Sequence, residues 1–361
     1  GVAAVLLGGR TFHSFFGLGI MEGGAEDSIR RAFHDKKVIA RIRKMEGFIL
    51  DEVSMIPGQA FMAAEQICRL CLDAELPWGG LKVIVVGDFA QLPPINRNQK
   101  QKDWAFLNPA WEASEFKNIS LKTMVRSRDE DFLNVINKIR DGIVDDSVSN
   151  YLNHKVDNDT DLFEGTCLFP FRNTTEKYNQ KCLNQNDNDL YTFKTRYTGL
   201  KRFTAILQKT APIPEILNIK ENALVMTRIN DPKYRFINGS TGNVVEINAD
   251  EILIKLLNKK KVIEVPRSVF SLYNADGDEV ATASNFPINL AYATTIHKSQ
   301  GATLSQIMID LKNLWEPGQA YVALSRLESG DGLKIRGWDA ASIKTDPDVT
   351  AFHQAISSEN L

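Results

Sequence analysis

Phe48-Ile49-Leu50-Asp51-Glu52-Val53-Ser54 is the stretch on which the reading of the chain turns. Three apolar residues run directly into two carboxylates. An apolar run of this kind reads as a buried strand of a parallel sheet. In such sheets ligand-binding groups lie just past the carboxyl ends of the strands, where Asp51 and Glu52 fall. In a nucleoside triphosphatase the first carboxylate holds Mg²⁺ and the second orients and deprotonates the attacking water. An ordinary acidic strand end reads the same way, so the stretch alone leaves both readings open.

Downstream, Pro57 suits the first turn of a helix running to about Leu72, with Ser54 as candidate cap. Cys68 and Cys71 share a face of that helix with Phe61, Ala64 and Leu72, so the CxxC reads as packing rather than a zinc or redox site. Trp78-Gly79-Gly80 turns the chain into a second apolar strand, Val83 to Val86, which ends in Gly87-Asp88-Phe89-Ala90-Gln91-Leu92-Pro93-Pro94. A glutamine at a strand end can bond a terminal phosphate or the attacking water. Two such strand ends make a doubly wound nucleotide domain the expected architecture.

Upstream, the chain opens at Gly1 with Val2-Ala3-Ala4-Val5-Leu6-Leu7, an apolar run that needs packing partners. Gly8 to Gly17 then interleaves Thr11, His13 and Ser14 with phenylalanines. Hydroxyls and an imidazole can bind phosphate oxygens while aromatic rings stack on bases. A capped helix with core phenylalanines fits equally well. Residues 30 to 44 are rich in Arg and Lys, adequately explained by a solvated helix face.

The 361 residues allow roughly two to three domains, and 43% hydrophobic with 24% charged residues is ordinary for a globular chain. No apolar run approaches the length of a membrane span. A net charge of −2 gives no global argument for nucleic acid, so any such surface must be local. The four cysteines fit a reducing compartment.

From Ile119 the character shifts. Leu121 to Arg126 reads as a strand ending in arginine, and Phe132, Val135, Ile136 and Ile139 mark a helix stopping at Asp141-Gly142. Cys167-Leu168-Phe169-Pro170 opens another strand-to-helix unit. Residues 213 to 285 look all-β, with a tight turn at Asn238-Gly239, and suggest a small five-strand barrel inserted into the α/β pattern. That pattern resumes with Thr294-Thr295-Ile296-His297-Lys298-Ser299-Gln300-Gly301. A helix from Gln319 would aim Arg326 at an inter-domain cleft.

In this order TFHSF, DEVSM, GDFAQLPP, MVRS, NGSTG, TIHKSQGATL and YVALSR resemble the Pif1-like family of superfamily 1B DNA helicases over nearly the whole chain. The resemblance implies an α/β fold of two RecA-like P-loop NTPase domains with an SH3-like barrel. It places the first domain at 1–118 with a small element within 17–47, the second at 119–212 and 286–361, and the barrel at 213–285. It implies ATP and Mg²⁺ as cofactors, with Asp51 on the metal, Glu52 as base, Gln91 sensing the γ-phosphate, Arg126 and Arg326 as arginine fingers, and Gly301 near the nucleotide. Thr11, His13 and Ser14 in the first domain, and His297 and Ser299 in the second, would grip DNA. The implied activity is ATP-driven 5′-to-3′ unwinding in repair, recombination or telomere maintenance. The partners would be single-stranded and forked duplex DNA, with a monomer, no membrane and no obligate protein partner. The compartment would be intracellular: nucleus or mitochondrion in a eukaryote, cytoplasm in a bacterium.

No GxxxxGK[ST] phosphate loop occurs in the sequence. The expectation is therefore a piece of a longer helicase, inactive alone. The alternative is a non-hydrolysing single-strand-binding module.

Overall fold

The computed structural model describes residues 10–19, 21, 23–94, 102–121, 123–157, 163, 165–231, 233, 235–236, 238–257, 261–273 and 279–359. The run Val2 to Leu7, including Val2, Val5 and Leu6 whose apolar surface needed partners, lies outside the described residues, as does Lys122.

Strands β1 (Gly47–Leu50) and β2 (Lys82–Val85) pair in parallel, with Leu50 opposite Val85. The pairing carries on beyond them: Val86 N donates to Leu50 O at 2.8 Å, and Val53 N donates to Val86 O at 3.0 Å. Both strand ends are thereby held level, and the groups that follow them emerge side by side. The crossover between them is the helix Gly58–Cys71. Its face of Phe61, Ala64 and Cys68 is fully buried, and Phe61 lies edge-on to Trp78 with ring centroids 5.0 Å apart. Burial pushes the Cys68 and Cys71 thiols up, so neither is poised to ionise and packing is their role.

The expected cap on that helix is corrected. Ser54 sits in the single 3₁₀ turn Val53–Met55 with its hydroxyl buried and unpartnered. Asp103 caps the helix instead: its carbonyl accepts from Gly58 N at 2.9 Å and its carboxylate from Gln59 N at 3.2 Å.

Among the described residues, Leu121 and Thr123 to Arg126 likewise form no strand. Leu121 and Val125 are 90% and 89% exposed in an extended connection with no ladder partner. Apolar composition made the segment look like a strand, but a strand needs a neighbour as well.

Beyond the helix Glu130–Arg140 come β3 (Thr166–Phe169), β4 (Tyr191–Lys194), β5 (Arg196–Gly199), β6 (Ile216–Ile219), β7 (Leu224–Thr227), β8 (Thr241–Ile247), β9 (Glu251–Leu256), β10 (Val262–Pro266), β11 (Ser268–Tyr273), β12 (Glu279–Asn285) and β13 (Ile288–Leu290). The α/β pattern returns with β14 (Ala293–Thr295), β15 (Ile307–Leu311) and β16 (Leu333–Trp338). A second parallel sheet has the order β14-β3-β15-β16, as a doubly wound half requires.

The intervening β region contains the antiparallel sheet β10-β9-β8-β7-β13, which has its own core of Val225, Val244, Ile254, Val265 and Phe286. It is larger than the 213–285 read from sequence. β4 pairs with β6, β5 pairs with β12, and β13 closes the five-stranded sheet, so the region begins near residue 191 and ends near 290. β4 and β5 are short and largely exposed, and β4 follows an Asn/Asp-rich run, which hid them.

The two α/β halves share one apolar core, in which Leu50, Val53 and Phe61 belong to the same cluster as Leu168, Leu324 and Ile335. Phe352 of the helix Pro347–Glu359 stacks on Phe106 at 4.4 Å and meets Phe89, just past the end of β2, edge-on at 5.3 Å.

Phe61 is fully buried among Trp78, Trp111 and Phe116. Phe61→Ala should therefore cost roughly 3–5 kcal/mol, read as a lower urea midpoint at unchanged slope.

Candidate nucleotide and DNA site

Glu52 follows β1 with left-handed backbone (φ 55°, ψ 46°), which ends the strand and turns its side chain away from that of Asp51. Asp51 stays exposed and its Oδ1 accepts from Glu52 N at 2.9 Å. Glu52 instead faces the other half of the molecule. Gln300 Nε2 donates to its Oε2 at 3.4 Å, and a Cβ on Gly301 would stand 4.0 Å from its Oε1. Burial, then the Asp51 charge, raises the Glu52 pKa; Arg326 and the Gln300 bond pull in the opposite direction but do not reverse it.

Arg326 lies just past the helix Gln319–Leu324 and is 3% exposed. Its Nε donates to Val322 O at 2.9 Å and its Nη2 to Ser325 Oγ at 2.8 Å, both neutral oxygens. Arg126 arrives from the extended connection, and its Nη1 donates to Ser325 O at 2.5 Å. Burial, with Arg126 alongside, pulls the Arg326 pKa down to about 10, which still leaves it charged at neutral pH. Gln91 follows the turn after β2 with its Oε1 buried and unpartnered, an acceptor suited to a water O–H.

On the face expected to meet DNA, Thr11 precedes the one-turn helix Phe12–Phe15 and its hydroxyl makes no capping bond. Thr11 and Ser14 are exposed and His13 is half-buried. Arg41 holds this turn, donating to the carbonyls of Ser14 and Phe15 while its guanidinium lies 5.0 Å from the Phe15 ring centroid. In the other half His297 is half-buried on the short helix Ile296–Ser299. Burial lowers the pKa of both histidines, so each is neutral at neutral pH. Ser299 is corrected: it is 1% exposed and its hydroxyl donates to Ile296 O at 2.8 Å, so it holds the turn rather than facing a ligand.

A family model described as PIF1-like helicase matches residues 1–150. The "ATP-dependent DNA helicase Pif1" of Bdellovibrio bacteriovorus is 48% identical over 354 residues, covering 98% of this chain and 80% of the relative. The chain belongs to the Pif1-like helicases. The ATP-dependent DNA helicase PIF1 of Danio rerio is 30% identical over 367 residues, and there the match spans 57% of the relative. Among solved structures, Pif1 helicase from Candida albicans superposes with a TM-score of 0.81 at 28% identity, covering 99% of this chain and 87% of that one. A Bacteroides sp Pif1 in complex with ADP-AlF4 gives 0.83 at 24% identity, covering 99% and 86%, and so bears on the fold alone. The two-domain α/β fold expected of a Pif1-like helicase is present.

Gln300, which bonds Glu52, and Asp88, which accepts from Arg140 and Tyr321, have partners that were not read from sequence. Gln300 and Asp88 lie inside motifs quoted for the family, next to residues that were chosen. Arg140 and Tyr321 gave no local signal.

Because folding raises the Glu52 pKa, the folded protein binds its proton more tightly than the unfolded chain does. The carboxylate therefore costs stability above its folded pKa and nothing below the unfolded value of about 4.3. Glu52→Gln should raise Tm by on the order of 1–2 °C at pH 7, and the gain should vanish on acidification to about pH 4, in paired thermal melts.

Proposed function

We propose that this chain carries the motor of a 5′-to-3′ DNA helicase, with one Mg²⁺–ATP held between residues 1–118 and the second α/β half. The observation that carries this reading is Glu52 of the first half facing Gln300, Gly301 and Arg326 of the second across one cleft. The donor set fits the cofactor: an exposed carboxylate at Asp51, an unpartnered amide oxygen at Gln91 and two guanidinium groups at Arg126 and Arg326.

Asp51 would hold the metal. Glu52, whose raised pKa brings it closer to neutrality than an ordinary glutamate, accepts the proton of the attacking water, and Gln91 orients that water. Arg126 and Arg326 neutralise charge that builds on the transferred phosphoryl group. Bound Mg²⁺ would supply charge neutralisation between the phosphates. A pure single-strand-binding module has no use for this assembly, which argues against the alternative reading.

Thr11, His13 and Ser14 in one half and His297 in the other would grip single-stranded or forked DNA in turn as the cleft opens and closes. The β region from about 191 to 290 is read as the SH3-like insertion flanking the strand.

In the full-length protein, Glu52→Gln should keep ATP and DNA binding but lower turnover by roughly 10²–10⁴-fold. Near-normal DNA-stimulated ATPase in that variant would overturn the assignment of the base.

His13→Ala and His297→Ala should each weaken single-strand affinity several-fold without sequence preference. Both rings are neutral, so the dependence of log Kd on log salt should keep its slope, unlike the loss of a lysine contact. Fluorescence anisotropy against salt checks both points; unchanged affinity in the two variants would remove them from the DNA track.

A further inference from the structure

Asp88 stands just past the end of β2, and its carboxylate is held from three sides. Ala90 N donates to Oδ1 at 3.2 Å and keeps the turn toward Gln91 closed. The other two donors come from the second half: Arg140 Nη2 to Oδ1 at 3.0 Å and Tyr321 Oη to Oδ2 at 2.8 Å. Burial alone would raise the Asp88 pKa, but the Arg140 charge and the bonds from Arg140 and Tyr321 outweigh it and keep the group ionised. Burial and the Asp88 charge push the Tyr321 phenol up, so it keeps the proton it donates.

The two donors sit on the elements that deliver the two arginines. Arg140 closes the helix Glu130–Arg140, which begins four residues after Arg126. Tyr321 lies in the helix Gln319–Leu324, which runs into Ser325 and Arg326. Gly318, at the start of that helix, permits the approach: with φ at 79°, a Cβ there would stand 2.6 Å from Ala90 O and 2.7 Å from Gln91 O. Thr345 Oγ1 steadies the far end of the other helix by donating to Arg140 O at 2.6 Å.

We infer that Arg140 and Tyr321 form a two-pronged latch on Asp88 that sets Arg126, Arg326 and the Gln91 turn in register when the cleft closes. Neither touches the nucleotide; both are positioning residues. The inference rests on the role proposed above for Arg126 and Arg326. Since the latch acts on the closed state, its loss falls on turnover and not on the first binding of ATP or DNA.

The test is steady-state DNA-stimulated ATPase of the full-length protein with Arg140→Ala, Tyr321→Phe, Asp88→Asn and Arg326→Ala. Tyr321→Phe, which deletes one oxygen, should lower kcat about 10-fold, and Arg140→Ala about 10- to 100-fold, with KM for ATP and single-strand affinity within about twofold of the parent. Affinity for ADP-AlF4 should fall in parallel while affinity for ADP holds. Tyr321→Phe added to Asp88→Asn should cost little more than Asp88→Asn alone, because both act on one carboxylate. Arg140→Lys should recover part of the lost kcat. Unchanged kcat in Tyr321→Phe and Arg140→Ala, with turnover abolished in Arg326→Ala, would overturn the latch and leave the arginine assignment standing. Parental kcat in Arg326→Ala would remove the arginine assignment and the latch together. Should Arg140→Ala fail to fold, Tyr321→Phe and the ADP-AlF4 comparison decide alone.

Discussion

A glutamate with left-handed backbone is what the site is built on. Glu52 at φ 55° costs on the order of 1 kcal/mol relative to an ordinary conformation. Local bonds offset that strain: Asp51 Oδ1 accepts from Glu52 N, Glu52 O accepts from Met55 N at 3.0 Å, and Val86 O accepts from Val53 N. Had the strand continued, its alternation would have sent the two carboxylates to opposite faces of the sheet. The bend divides their tasks differently. Asp51 remains at the exposed strand end, open to a cation, while Glu52 turns into the contact with Gln300, Gly301 and Arg326.

The electrostatics of the cleft are deliberately unequal on its two sides. The second half presents Arg326, almost fully buried, beside Arg126, and both are bonded to oxygens of the Val322–Ser325 turn. Burial first, and then the Arg126 charge alongside, lower the Arg326 pKa, so the two cations are held at a cost that an anion between them would relieve. The first half offers carboxylates, which need a cation between them and any phosphate. A metal-bound polyphosphate satisfies both sides at once, which neither a bare anion nor a bare cation would do. Glu52 joins the two sides, since burial and Asp51 raise its pKa while Arg326 lowers it.

How much of this was legible in the sequence follows from how local each feature is. The helix Gly58–Cys71, the strands that lead to Asp51 and toward Gln91, and the unit from Thr166 into the helix Arg172–Asn184 all carry their periodicity within a few residues. The ordered motifs named the family and put Asp51, Glu52, Gln91, Arg126 and Arg326 in one list, and Arg326 does lie beside Arg126 on one side and Glu52 on the other. Partnerships across the chain were not legible. Asp88 finds Arg140 and Tyr321 at separations of 52 and 233 residues, and no window reveals such pairs. Ser299 looked like a ligand-facing hydroxyl because burial cannot be read from a polar residue in a polar motif. Asp103 escaped as a cap because it lies 44 residues from the amide it accepts from.

The contacts between the two α/β halves are partly polar and partly apolar, and the two kinds differ in what parting them costs. At the strand ends the contacts are hydrogen bonds of the Asp88 and Glu52 carboxylates, for which water can substitute at a net cost of about 1.5–3 kcal/mol each. Right beside Asp88, Phe352 packs on Phe89, Phe106 and Trp111, and Trp104 Nε1 donates to Asp346 at 3.2 Å. Water cannot replace buried ring contacts, and each aromatic side chain drawn out would expose roughly 150–250 Å². Parting the halves at Glu52 is therefore cheaper than parting them at Asp88, where the rings of Phe89 and Phe352 lie alongside. The shared core ties the halves into one body, and the distribution of polar contacts within it decides where that body yields.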